Sequence, residues 1–274
     1  GGLSQDCHVV WGGGEPTLSP RFKPVNEHLI STNAVTKVRV LSNSLRHSDQ
    51  LHSLIADKRV HLVTSIDAGT PSAFREIRGK GNITTVIENL QAYSTAMKEK
   101  RRLTIKYILM PNNASSSELE SFVSLMVEAG LMESMFQISC DFTLESAPSL
   151  LVCAMYELAA RLYAAGADIV FFDDLIRDRV KLADLDINSV REHLQKNLVS
   201  QKFIQFPNPE KKIVLWGRGL QARWLSGSTN CGHSGLIIDT VSDEAQYFHK
   251  RASEGLSDLL IYPSGAQSIY EIIK

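Results

Sequence analysis

One short stretch near the start of the chain decides how the rest can be interpreted: Val9-Val10-Trp11-Gly12-Gly13-Gly14-Glu15-Pro16-Thr17-Leu18. An apolar strand runs directly into three glycines, which let the backbone approach a ligand because no Cβ stands in the way. The carbonyls of such a turn can accept hydrogen bonds from a cationic amine, and Glu15 adds negative charge at the same place. A turn with a purely structural role would look the same, so the surrounding sequence has to separate the two interpretations.

The composition excludes several classes of protein. The chain has 274 residues, with 29 Lys and Arg against 30 Asp and Glu, and 43% of its residues are hydrophobic. The formal net charge of -1 gives no global basic field for nucleic acid. No apolar stretch approaches the ~20 residues that cross a bilayer, and the apolar content is too high for a disordered chain. Widely spaced cysteines without a disulfide pattern indicate a reducing compartment, most simply the cytoplasm.

Short apolar runs alternate with amphipathic patterns along the first two thirds of the chain. Helices are predicted after the capping residues Ser48 and Asn82 and after the pair Ser115 and Glu118, which has capping-box spacing. Two further helices are predicted, at 148–166 and 184–198. Strands are predicted at 7–11, 37–42, 60–66, 103–110, 136–140 and 169–172. Apolar strands that alternate with helices predict an α/β fold with a parallel sheet or barrel.

A linker divides the predicted domains. Residues 206–212 contain two prolines and a charge run, which interrupt any regular pattern. Beyond them strands are predicted at 213–216, 236–239 and 259–262, followed by a closing helix at 268–274. We therefore predict one domain over 1–207, with a helical extension from about residue 148, and a second over 208–274.

The glycine-rich stretch has companions at definite distances, and together they resemble the radical S-adenosylmethionine (radical SAM) superfamily. Gly13-Gly14-Glu15-Pro16 is similar to its GGEP motif, and Leu62-Val63-Thr64-Ser65-Ile66-Asp67 to its fourth barrel strand. Phe74-Arg75-Glu76-Ile77-Arg78-Gly79-Lys80-Gly81 is similar to its R-x-x-G stretch. The resemblance covers about residues 7–145. It implies a partial (β/α) barrel of radical SAM type, with Lys106, Ser139 and Asp141 at or near the mouth.

The resemblance also implies a binding site for S-adenosylmethionine. Gly13, Gly14 and Glu15 would hold its amino group. Arg78 would meet its carboxylate, a task that suits the planar fork of arginine, although Arg75 is a close competitor. Four residues would approach the ribose: Ser42, Asn43, Ser65 and Asp67. Ser65 and Asp67 are two positions apart, so on a strand both would point to the same face.

One part of the family pattern is missing. Radical SAM enzymes hold a 4Fe-4S cluster with a C-x3-C-x2-C loop after their first strand, because such clusters need thiolate ligands. The cysteines here are Cys7, Cys140, Cys153 and Cys231, and they include no such triplet. We therefore expect a fragment that lacks the first barrel strand and cluster loop, cut from a parent that takes an electron donor and an organic or peptide substrate. No metal ligand is predicted within the chain.

The C-terminal unit leaves alternatives open. Trp216-Gly217-Arg218-Gly219-Leu220 resembles the first turn of small Rossmann-like domains, in which backbone N–H groups face a phosphate. An accessory α/β domain and a nucleotide or nucleotide-sugar binding module both fit this pattern. For the whole chain, the first interpretation is a fragment of an enzyme that reductively cleaves S-adenosylmethionine. The alternative is a non-catalytic radical-SAM-like scaffold.

Overall fold

The protein is described as a computed structural model. The structure describes residues 7–182 apart from 33 and 168, the separate positions 189, 192, 193, 196 and 197, and three short segments at 213–216, 237–238 and 258–260. The chain divides into two compact units. The first is Gly1–Ile108, Ser117–Gln137 and Ala165–Asp168, and the second is Leu109–Ser116, Ile138–Ala164 and Ile169–Lys274.

Six strands form one sheet, in the same order as in the sequence. They are β1 (Cys7–Trp11), β2 (Val35–Leu41), β3 (Val60–Ser65), β4 (Leu103–Leu109), β5 (Met135–Cys140) and β6 (Ile169–Phe172). The pairings of β1 with β2, β2 with β3 and β3 with β4 are all parallel. All six agree with the predicted runs to within two residues at each end. A parallel sheet is confirmed, whereas closure into a barrel stays a prediction.

Seven α-helices connect or follow these strands in the described part of the chain. They are α1 (Phe22–Ser31), α2 (Asp49–Leu54), α3 (Pro71–Arg78), α4 (Ile83–Ala96), α5 (Ser116–Glu128), α6 (Ser149–Ala164) and α7 (Asp174–Lys181). Short 3-10 helices lie at Pro16–Leu18 and Lys100–Arg102. The caps explain where several begin. Ser48 Oγ accepts from Leu51 N before α2, and Asn82 Oδ1 accepts from Thr84 N before α4, both as predicted.

The two faces of the sheet differ in the first unit. Strand registers place Val40 beside Leu62 on one face, and Leu62 beside Leu103. These three side chains are fully buried and belong to the hydrophobic core. The other face carries Leu41 beside Val63 and Ser65 beside Lys106, and its residues are more polar and more exposed. One face therefore supplies the stability of the sheet and leaves the other for a ligand.

The second unit has a buried charged group on α6. Glu157 is fully buried, and its carboxylate accepts from Ser116 Oγ at 2.8 Å and from Arg161 Nε at 2.9 Å, with His193 Nε2 at 2.7 Å. Burial raises the pKa of Glu157, but the hydrogen bonds from His193, Ser116 and Arg161 bring it below its usual range. The group fixes residue 193 against α6.

Three further strands form a separate small sheet in the order β8-β7-β9: β7 (Ile213–Trp216), β8 (Ile237–Ile238) and β9 (Asp258–Leu260). Both pairings are parallel. The strands overlap the predicted ones to within two residues at each end, and a Rossmann-like domain stays a prediction. The turn Gly217–Gly219, the domain boundary near 208 and the helices predicted at 184–198 and 268–274 lie wholly or largely outside the described residues. None of the helices in the described ranges combines the length and the apolar character of a bilayer span.

Candidate functional site

A cavity of about 440 Å³ opens on the polar face of the first unit, near the carboxyl ends of β2 and β3. In parallel sheets ligands bind at this edge. The lining contains four of the eight residues that the sequence predicts for a site, Ser42, Asn43, Ser65 and Arg78, together with the predicted mouth residue Lys106. The complete lining is Arg39, Leu41, Ser42, Asn43, Val63, Ser65, Arg78, Lys106 and Gln137.

The glycine-rich turn lies beside this cavity and is open to solvent. Gly13 and Gly14 have φ values of +81° and +150°, which few side-chain-bearing residues adopt, and nothing would lie within 4 Å of an added Cβ at either position. The glycines are therefore required by backbone conformation, and the space above them is free. Neither of them lines the cavity itself.

Glu15 connects the turn to the end of β2. Its carboxylate accepts hydrogen bonds from Thr17 Oγ1 at 2.6 Å, from Ser42 Oγ at 3.0 Å and from the Asn43 backbone N–H at 2.8 Å. It also caps the 3-10 helix by accepting from Thr17 N. The negative charge predicted for this position is thus held next to two cavity residues, so Glu15 positions Ser42 and Asn43 as well as supplying charge.

Asp67 is placed differently from the prediction. Strand β3 ends at Ser65, and Asp67 has φ +59°, so strand alternation does not put the two side chains on one face. Asp67 is only 2% exposed and lies outside the cavity lining. Its Oδ1 accepts from the Ile108 backbone N–H at 2.7 Å, and its Oδ2 accepts from Arg78. In this structure Asp67 therefore holds Arg78 rather than facing a ribose.

The charge of Asp67 is finely balanced. Burial raises the pKa of its carboxyl to about 6, although the positive charge of Arg78, the Ile108 N–H and the charge of Lys106 all favour the ionised form. Asp67 is thus half-protonated near pH 6 and mostly ionised at neutral pH. Its ion pair with Arg78 depends on pH in the range where most proteins are studied.

Arg78 reaches the cavity from the last turn of α3. Its Nη2 atom donates hydrogen bonds to the Ser65 carbonyl oxygen, at 2.8 Å, and to the Asp67 carboxylate. Gly79 then ends the helix at φ +68°, which explains why a glycine follows the arginine. The competitor Arg75 is exposed and does not line the cavity. The structure therefore favours Arg78 of the two.

The position of α3 depends on a contact that the sequence does not reveal. Glu118 in α5 is buried, and its carboxylate accepts from Gly69 N at 2.5 Å, Thr70 N at 3.0 Å and Thr70 Oγ1 at 2.9 Å. Thr70 in turn caps α3, which begins at Pro71. In the sequence Glu118 belongs to a local capping pattern, whereas in the structure its carboxylate holds a loop 48 residues away.

Four cavity residues were not predicted from the sequence: the polar residues Arg39 and Gln137 and the apolar residues Leu41 and Val63. Alternation along β2 could have found Arg39, because Arg39 and Leu41 are two positions apart and share a face. Ser44, which follows the predicted site residues Ser42 and Asn43, has φ +52°, and its Oγ lies 2.8 Å from Thr64 Oγ1. Of the other predicted mouth residues, Ser139 is buried in β5 and Asp141 follows that strand.

The described residues do not fit an iron–sulfur cluster. Such a cluster needs three or four thiolates converging on one place. Among the described ranges no group of three His, Cys, Asp or Glu side chains is placed to hold a metal ion. Cys140 and Cys153 are buried, and burial raises the pKa of Cys153 to about 11, which disfavours the thiolate.

Comparison with known proteins supports the fold and nothing finer. No protein-family model matches the sequence, and no curated protein matches it. The structure is similar to the crystal structure of SuiB from Streptococcus suis bound to S-adenosylmethionine, with a TM-score of 0.50 and 13% sequence identity. The match covers 65% of this chain and 41% of the other, so the chain spans less than half the length of SuiB. At this level of sequence identity, the likeness shows that the two chains share a fold.

Proposed function

We propose that this chain binds S-adenosylmethionine in the cavity at the carboxyl ends of β2 and β3. One observation carries the proposal: Ser42, Asn43, Ser65 and Arg78, which the sequence motifs assign to this ligand, line a single cavity. They come from the ends of two strands and one helix, so their convergence is not a consequence of being neighbours in the sequence. The bound ligand of the structurally similar SuiB is in keeping with the same chemistry.

Each set of site residues suits a different chemical group of S-adenosylmethionine. The open carbonyls of Gly13 and Gly14 and the carboxylate of Glu15 form the acceptor side, which suits the ammonium group. The hydroxyl of Ser65 and the side chain of Asn43 suit the ribose hydroxyls. Arg78 suits the methionine carboxylate because its guanidinium can donate to two oxygens. A cavity of about 440 Å³ lies within the range of about 300–1,000 Å³ typical of small-molecule sites.

Reductive cleavage of S-adenosylmethionine is a further proposal, and it concerns a larger assembly. The chain has no C-x3-C-x2-C motif, and its described residues do not converge on a metal site. The radical chemistry that the resemblance implies would therefore need thiolates from another segment or another polypeptide, with an electron donor and an organic substrate. For this chain alone we propose ligand binding and no step beyond it.

The Ser65→Ala substitution tests the proposed site. Ser65 Oγ lines the cavity, and losing one hydrogen bond to the ligand is expected to weaken binding by about 2- to 10-fold. The measurement is isothermal titration calorimetry of the full chain with S-adenosylmethionine. Ser53→Ala is the matched control, because Ser53 lines a different cavity, between α1 and α2. Equal affinities for wild type and Ser65→Ala, or an equal loss in Ser53→Ala, would contradict the assignment.

A further inference from the structure

The polar face of the sheet near the cavity carries three positively charged side chains. On β2, Lys37 and Arg39 alternate on this face, and Lys106 lies on it in β4. Strands β1 to β4 contribute no Asp or Glu to this face or to the other. Arg39 and Lys106 line the cavity, as does Arg78. Of these three, Arg78 already has Asp67 as its counter-ion.

Arg39 is the group that the rest of the protein leaves uncompensated. It is half-buried, and within the part of the chain that the structure describes its guanidinium makes no hydrogen bond and no ion pair. Taking a charge partly out of water without a partner is costly. An anion bound to Arg39 offsets the free-energy cost of partly desolvating the guanidinium. The planar guanidinium can bind two oxygens of one carboxylate or phosphate.

The neighbouring residue His61 is affected by the positive charges near Arg39. His61 lies beside Arg39 in the strand register. Burial, together with the positive charges of Lys37, Arg102 and Arg39, lowers the pKa of His61 to about 4, while Glu99 acts in the opposite direction. The imidazole is therefore neutral at physiological pH. The residue beside Arg39 on this face therefore supplies no charge of either sign.

The proposed S-adenosylmethionine contacts lie at the strand ends and do not use Arg39. Ser42 and Asn43 follow β2, whereas Arg39 is two residues before its last residue, Leu41. At about 3.3 Å per residue, the Cα of Arg39 lies roughly 7 Å along β2 from the end of the strand. The methionine carboxylate is assigned to Arg78, so Arg39 has no partner on that ligand.

We propose that Arg39, assisted by the charge of Lys106, binds an oxyanion group, carboxylate or phosphate, of an organic substrate on the floor of the cavity. Arg39 is then a specificity-determining residue. That this oxyanion belongs to a substrate rests on the proposed function, because the proposed function places S-adenosylmethionine beside the oxyanion. The binding of the anion itself does not depend on it.

The test uses calorimetry of the full chain with three separate probes: succinate, inorganic phosphate and, as an uncharged control, succinamide. We expect one or both anions to bind in preference to succinamide. Arg39→Gln is expected to weaken that binding by about tenfold or more, which is the loss of one charge-assisted contact. Arg39→Lys keeps the charge but not the fork, so it is expected to weaken binding by a smaller factor. The preference between succinate and phosphate identifies the oxyanion.

Arg46→Gln is the matched control, because Arg46 is exposed and outside the cavity lining. The proposal is overturned if neither anion binds at about 10 mM, a very weak affinity for any specific site. It is also overturned if Arg46→Gln loses as much as Arg39→Gln, or if the Arg39 variants bind as wild type does. If Arg39→Gln does not fold, Arg39→Lys is measured instead, and anion binding equal to that of the wild type overturns the proposal. Anion binding through Arg39 without S-adenosylmethionine binding would refute only the proposed function, whereas the reverse result would refute only this inference.

Discussion

The Arg78→Gln variant is expected to lose about 2–3 kcal/mol of unfolding free energy at about pH 8 and only about 1 kcal/mol at about pH 5. Asp67 is 2% exposed, and its ion pair with Arg78 is the main interaction that offsets the cost of burying its charge. Removing the partner leaves an uncompensated buried carboxylate. The expected loss is below that of a fully buried pair, because the Arg78 side chain is itself 30% exposed.

The pH dependence follows from the raised pKa of Asp67, which is about 6 in the folded protein against an ordinary 3.8. A carboxyl whose pKa is raised by folding is stabilising when protonated, and this contribution is lost as pH rises from about 4 through 6. Without Arg78 the folded pKa rises further, so the variant differs from wild type most above pH 6. Below that, Asp67 is mostly protonated in both, so the variant loses the hydrogen bonds of Arg78 to Ser65 and Asp67 but no ion pair.

Urea unfolding of both proteins at the two pH values measures this difference. The control is the same substitution in an Asp67→Asn background, where the cost of Arg78→Gln is expected to be equal at both pH values. If Arg78→Gln costs the same at pH 5 and pH 8 in the presence of Asp67, the two side chains are not coupled through their charges, and the account of this pair is wrong.

The Gly69→Ala variant is expected to lose about 3 kcal/mol or more, because its methyl group has no space. A Cβ at residue 69 would lie 2.2 Å from the Phe122 backbone nitrogen and 2.4 Å from the Glu118 carbonyl oxygen. Both atoms belong to the backbone of α5, so no side chain can rotate away. The φ angle of Gly69 is outside the left-handed region, so the loss comes from this contact alone.

Gly130→Ala is the opposite case and serves as the control. Gly130 has φ +65° and nothing within 4 Å of an added Cβ, so only conformational strain of about 1–2 kcal/mol is expected. Thermal or urea unfolding measures the loss of unfolding free energy in each variant, which comes from a steric contact in Gly69→Ala and from backbone strain in Gly130→Ala. A smaller loss for Gly69→Ala than for Gly130→Ala would mean that the loop before α3 is not held against α5 as described. Since α3 carries Arg78, ligand binding should weaken in Gly69→Ala as well.

Local sequence patterns were enough to predict the strands and most helix starts. Each strand of the six-stranded sheet is an apolar run bounded by polar or turn residues, and such runs pair wherever both faces are largely covered. Ser48 and Asn82 were identified as caps because their side chains act within three residues along the chain. Helices α1, α3 and α7 were not predicted. The helix α3 is only eight residues long, with Phe74 as its one buried side chain, so its apolar period is weak.

The site was predictable only in part, because its geometry depends on contacts between distant segments. The motifs indicated Ser42, Asn43, Ser65 and Arg78, which the structure brings to one cavity. They could not show that the backbone turns left-handed at Asp67, where the side chain accepts hydrogen bonds from Ile108 and Arg78. Nor could they show that Glu118 anchors the loop at Gly69. Both depend on tertiary packing, and neither leaves a periodic signal in the sequence.

The central claim, that S-adenosylmethionine binds at the carboxyl ends of β2 and β3, is tested most directly by amide chemical-shift mapping of the isotopically labelled chain during a titration with the ligand. The largest shifts are expected at Asn43 and Ser65 and at their neighbours in the cavity, while Glu27 and Ser53, which line the cavity between α1 and α2, stay unchanged. Absence of any shift at saturating ligand, or shifts centred on Glu27 and Ser53, would contradict the claim.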